Sequence, residues 1–117
     1  MADNTYISFY LKSGTIHIFR DTIRFLDTPR FVQFRVHPTG NSMLLLPYPK
    51  KTFTSLRVPE NVYDENGGMR VHSKSLCSII AVRMGWNIES SYRIPGKMIR
   101  GQGMVLFDLS RAVVIHE

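Results

Sequence analysis

The sequence predicts an α+β domain: a mostly antiparallel sheet, one principal helix at about residues 75–86, and a minor helix at about 21–26. Three observations predict it. Several short runs alternate apolar and polar residues at period two, the pattern of a strand with one covered face. One stretch, from Leu76 to Met84, repeats apolar residues at helical spacing. Gly, Pro, Asn and Asp break the chain at short intervals, where tight turns need them.

Tyr6 to Leu11 reads as the first strand, with Tyr6, Ser8 and Tyr10 on one side and Ile7, Phe9 and Leu11 on the other. Ser13-Gly14 is a turn, and Thr15 to Phe19 is a second strand with Ile16 and Ile18 inward and His17 outward. Asp21 is placed to cap a short helix through Leu26, stopped by Pro29. Phe31 to Val36 alternates again, Val32, Phe34 and Val36 against Phe31, Gln33 and Arg35. A turn at Pro38-Thr39-Gly40-Asn41 leads into a short buried strand, Met43 to Leu46.

Pro47, Pro49 and Pro59 punctuate a looser middle, with one strand within Thr52 to Val58, Phe53 among its apolar positions. Asp64 to Gly68 reads as an exposed, flexible turn. Met69 to His72 is a strand. Ser73 or Ser75 then caps the main helix, which carries Leu76, Ile79, Ile80 and Met84 and ends near Gly85. Ser91 to Ile94 is a strand broken by Pro95-Gly96; Met104 to Leu109 and Ala112 to Ile115 are the last two. Both halves can thus be written as strand, helix, strand, strand, which raises a duplicated β-α-β-β pair as a further expectation. The expected core is Leu76, Ile79, Ile80, Val32, Phe34, Val36, Leu45, Val105 and Phe107.

A chain of 117 residues is one globular domain's worth, 1–117. Hydrophobic residues at 44% and charged residues at 21% exclude a disordered tail, a collagen repeat and a rod. The single cysteine, Cys77, excludes an internal disulfide and four-ligand zinc sites that need two or more cysteines. The densest apolar run, Met43 to Leu46, is far short of the roughly 20 residues that span a bilayer. Met1-Ala2-Asp3-Asn4 is not basic and no apolar run follows it, so no leader is expected. The expectation is a cytoplasmic protein with no membrane partner.

No catalytic constellation is legible. His17, His37, His72 and His116 stand at no metal-ligand spacing, and His72-Ser73 would point to opposite faces of a strand. Cys77 could be an activated thiolate at a helix start or an inert buried thiol, and its apolar neighbours favour the second. Gly67-Gly68 lacks the Lys-Ser/Thr of a phosphate loop. Arg100 to Phe107 overlaps the RNP1 pattern of RNA-recognition motifs, but Gln102 and Met104 replace its stacking aromatics, so it reads as a hairpin turn. A non-enzymatic protein without cofactor or metal is expected.

The charge is the remaining signal. Lys and Arg outnumber Asp and Glu by 15 to 9, a net charge of +6. Candidates to contact DNA or RNA phosphates are Arg24, Arg30, Arg35, Lys50, Lys51, Arg93, Lys97 and Arg100. The Phe31-Gln33-Arg35 stripe suits stacking plus phosphate pairing, and equally a dimer face. The functional expectation is a basic nucleic-acid-associated module; the alternative is a protein-interaction or homo-oligomerisation module with no nucleic-acid ligand.

Overall fold

The computed structural model describes residues 4–52, 54–64 and 67–115. It opens with the expected hairpin, β1 (Asn4–Tyr10) and β2 (Thr15–Phe19), paired with Ser8 opposite His17. A one-and-a-half-turn helix, α1 (Arg20–Phe25), follows. Phe19 rather than Asp21 holds its N-cap position, and no side chain caps it, because the helix starts directly off the end of β2. Then come β3 (Phe31–Val36), β4 (Ser42–Tyr48), β5 (Ser55–Arg57) and β6 (Gly68–His72). The main helix is α2 (Lys74–Met84); β7 (Ser91–Ile99), β8 (Met104–Asp108), a 3-10 turn (Leu109–Arg111) and β9 (Val113–Ile115) complete the chain. Phe53, Glu65, Asn66 and His116 lie outside the described residues.

The α+β class is overturned. Strands take 46% of the described residues and helices 18%, in a nearly closed, barrel-like antiparallel sheet. The strand order is β5-β3-β4-β8-β7-β1-β2-β6, with β9 on β7. The two β-α-β-β halves therefore do not stand as separate units; their strands alternate in one sheet, joined where β4 meets β8, where β7 meets β1 and where β2 meets β6. The physical reason is self-coverage. Ile7, Phe9, Ile16, Ile18, Ile94 and Phe107 are fully buried against one another across the curled sheet. A sheet that covers its own apolar face needs no helical layer.

The helices instead lie at the barrel's ends. At one end α1 buries Ile23, and Thr5 Oγ1 on β1 shares a buried 2.8 Å hydrogen bond with Thr22 Oγ1. At the other, α2 buries Cys77, Ile80 and Ala81. It is tied down by Ser73 N–H donating to Gly14 O at 2.8 Å and by Arg83 donating to His37 O. Ser73 is its N-cap and Gly85, at φ 67°, its C-cap. The inward stripe is 77-80-81-84, so Ile79, one residue off it, is 55% exposed and not core as expected. Trp86 closes this end, stacked on Tyr92 and edge-on to Phe9.

Pro95-Gly96 does not break β7. Pro95 falls where β7 changes neighbour, from β9, paired as far as Arg93, to β8, paired from Gly96 onward. Its missing N–H coincides with that gap. Gly96 lies against the Phe107 ring, where a Cβ would come within 2.5 Å of Cε1. Pro47 is likewise tolerated in β4, beyond the last residue paired to β8.

Candidate functional site

Because side chains alternate, the outer face of the sheet carries whatever the barrel interior does not. Across β6, β2, β1 and β7 the register aligns Arg70, His17, Ser8 and Arg93 in one row. Neighbouring rows hold Tyr10 and Thr15 on one side and Tyr6 and Phe19 on the other. The aromatics and arginines interlock. Arg93 lies 5.8 Å from the Tyr6 ring centroid and 5.7 Å from that of Phe19. Arg70 lies 6.0 Å from Tyr10, and the His17 and Phe19 rings are 4.4 Å apart.

Beneath this layer Ser8 is fully buried although it faces outward. Its Oγ and the Arg93 Nε have no hydrogen-bond partner among the described residues. Neither Arg70 nor Arg93 pairs with a carboxylate among those residues. A buried donor without an acceptor carries a desolvation cost. At the Tyr10 end, an open cleft of about 540 Å³ is lined by Tyr10, Lys12, Thr15, Arg70, Glu89 and Ser91. Lys12 and Glu89 face each other there at 3.9 Å.

The expected phosphate contacts do not converge. Arg24, on α1, sits 3.5 Å from Asp21 and 5.0 Å from the Tyr63 ring. Arg30 lines a separate cleft with Phe31, Arg57 and Glu60. Lys50 and Lys51 are exposed after β4, and Arg100 lies in the β7–β8 turn. Arg35 and Lys97 face outward on the far half of the sheet, at opposite ends of the row Arg35, Leu44, Leu106, Lys97. Of the eight, only Arg93 lies on the aromatic face. The Phe31-Gln33-Arg35 stripe is not an open stacking surface either. Gln33 is buried, donates to Thr54 Oγ1 at 2.7 Å and accepts from Arg35 Nε at 3.0 Å.

Arg70, Tyr6, Tyr10 and Phe19 were not among the expected contacts. Their signal was present: the alternation already put Tyr6, Ser8 and Tyr10 on one side of β1 and His17 outward on β2. What it lacked was the pairing of β6 and β7 onto that hairpin. Cys77 is resolved: burial pushes its thiol up to about 11, so it is an inert thiol despite its place early in α2. Among the described residues no group of three or more His, Cys, Asp or Glu could hold a metal. Among them, too, no helix is long and apolar enough to cross a membrane.

The chain has no significant match among family models, curated proteins or solved structures.

Proposed function

We propose that this protein is a non-enzymatic module that binds single-stranded nucleic acid on the outer face of β6, β2, β1 and β7. The observation that carries the reading is the placement of Arg70 and Arg93 among Tyr6, Tyr10 and Phe19 on one sheet face. Unpaired bases stack on aromatic rings and on guanidinium planes, while arginines that lack a carboxylate partner pair with phosphates. A duplex hides its base faces, so it gains nothing from such a platform. Tyr6, half exposed, is the most accessible ring. The lone thiol, with no disulfide to lose, suits a reducing compartment, and we place the module in the cytoplasm.

Fluorescence anisotropy with labelled oligo(dT), oligo(U) and a duplex of equal length tests this. The single strands bind and the duplex binds more weakly. Two phosphates neutralised by Arg70 and Arg93 give a log–log salt slope of about −1.4 on single strands. Loss of one stacked base in Tyr6→Ala weakens binding by about 1–3 kcal/mol. Arg93→Gln reduces the slope by about 0.7. Absence of saturable binding at low salt, or binding indifferent to both Tyr6→Ala and Arg93→Gln, overturns the proposal.

A further inference from the structure

The opposite half of the sheet carries a second outward surface of different chemistry. On β3, β4, β8 and β7 the register aligns Arg35, Leu44, Leu106 and Lys97 in one row, and beside it pairs Gln33 with Leu46 and Met104 with Ile99. Leu44, Leu46, Met104, Leu106 and Ile99 point away from the barrel interior. All five are half-buried, and none belongs to the core or packs against it. The helices pack on the other strands, α1 on β1, β2 and β6 and α2 on β2. An antiparallel sheet normally turns a polar face to water, so a contiguous outward cluster of leucine, isoleucine and methionine marks an interaction surface.

Charge selects the occupant. Exposed Arg35 and Lys97 close the leucine row at both ends, and exposed Arg57 pairs beside Phe31 at the β5 edge. The acid on this face, Asp108 at the end of β8, is occupied by Ser110, whose N–H and Oγ–H donate to it at 3.1 and 2.6 Å. A second copy would set the same cations against each other on a chain already at +6. A nucleic acid would find phosphate partners but aliphatic side chains in place of aromatic rings between them. Three strand spacings make the face about 14 Å wide. One helix, about 10–12 Å across with its side chains, fits that width.

We infer that this face docks a partner protein through an amphipathic helix whose apolar stripe is flanked by Asp or Glu. The leucines take the stripe; Arg35 and Lys97 take the acids. The surface borders the aromatic face at β7, where Tyr6, Lys97 and Leu106 line one cleft, but it is built from different side chains, and either assignment stands without the other.

The test uses the whole chain and two synthetic amphipathic peptides of about 18 residues, five helical turns. Both carry a leucine stripe; one flanks it with Glu, the other with Lys. By calorimetry the Glu peptide binds saturably and the Lys peptide does not. Leu44→Gln and Leu106→Gln each weaken the Glu peptide by roughly tenfold or more. Arg35→Ala and Lys97→Ala each weaken it by up to about fivefold. In the unmutated chain, amide shifts on titration fall on β3, β4, β8 and the second half of β7, which keeps the inference testable if a variant fails to fold. Binding of neither peptide, equal binding of both, or shifts on β1 and β2 overturns it. So does a dimer in sedimentation that Leu106→Gln dissociates, since the occupant would then be a second copy.

Discussion

Gly96→Ala tests the packing that lets β7 run through its proline and present different outer residues on either side of it. The added Cβ would stand 2.5 Å from Phe107 Cε1, 2.6 Å from Cδ1 and 3.2 Å from Thr5 Cγ2. Carbon atoms rest at about 3.5–4.0 Å, so the ring must retreat by about 1 Å. Phe107 is fully buried among close-packed neighbours and has nowhere to go without moving them. Overpacking of this kind costs about 1–3 kcal/mol. Replacing glycine also stiffens the unfolded chain, which returns about 0.4–1 kcal/mol. The net expectation is a loss of about 1–2 kcal/mol. The assay is urea unfolding, read as a lower midpoint at unchanged slope. Phe107→Leu removes the offending ring edge, so Gly96→Ala in that background costs less, with a coupling of about 1 kcal/mol in the double-mutant cycle. A Gly96→Ala chain as stable as the parent, or strict additivity with Phe107→Leu, refutes the claim that the ring occupies the glycine's missing side chain.

Three further outcomes follow from buried or strained groups. Thr5→Val or Thr22→Val alone leaves a buried hydroxyl without its 2.8 Å partner and destabilises by about 1–3 kcal/mol, whereas the double Val variant recovers most of it in thermal unfolding. Gly85→Ala forces a side chain into the left-handed region at φ 67° and costs about 1 kcal/mol, with no steric clash to add. Cys77 keeps its proton in the folded protein to about pH 11, while the unfolded thiol ionises near 9.0. Its contribution to stability is therefore full below pH 9 and is lost as pH rises from there through about 11. Cys77→Ala flattens that part of the pH–stability curve, and the thiol resists alkylation at pH 8 until denaturant is added.

Local structure was legible wherever it depends on neighbours in the chain. β2 and β3 occupy the expected residues, and Ser73 and Gly85 end the helix as their chemistry requires. The division of β1, β2 and β3 into two faces follows from period-two alternation, but burial does not track it, since Ser8, His17 and Gln33 are buried on the outer face. Misreadings cluster where a distant partner intervenes. Pro95-Gly96 reads locally as a break, whereas β7 runs through it because it exchanges β9 for β8 there, neighbours that residues 91–96 do not reveal. Helical spacing places Ile79 on the apolar face but does not say how narrow a stripe is buried, and Ile79 lies outside that stripe.

Strand periodicity, the caps of the helix after Ser73, the turns and the surplus of arginine depend on composition or on residues a few places apart, so the chain alone specifies them. Only the tertiary structure decided how the strands order themselves. That order makes the sheet cover its own apolar face and sends the helices to the ends. It also brings Arg70 and Arg93, distant in sequence, onto the face of the first hairpin, and sets Arg35 and Lys97 at either end of a leucine row. Such juxtapositions come from hydrogen-bonded register between remote strands, a nonlocal property that no local pattern of residues encodes.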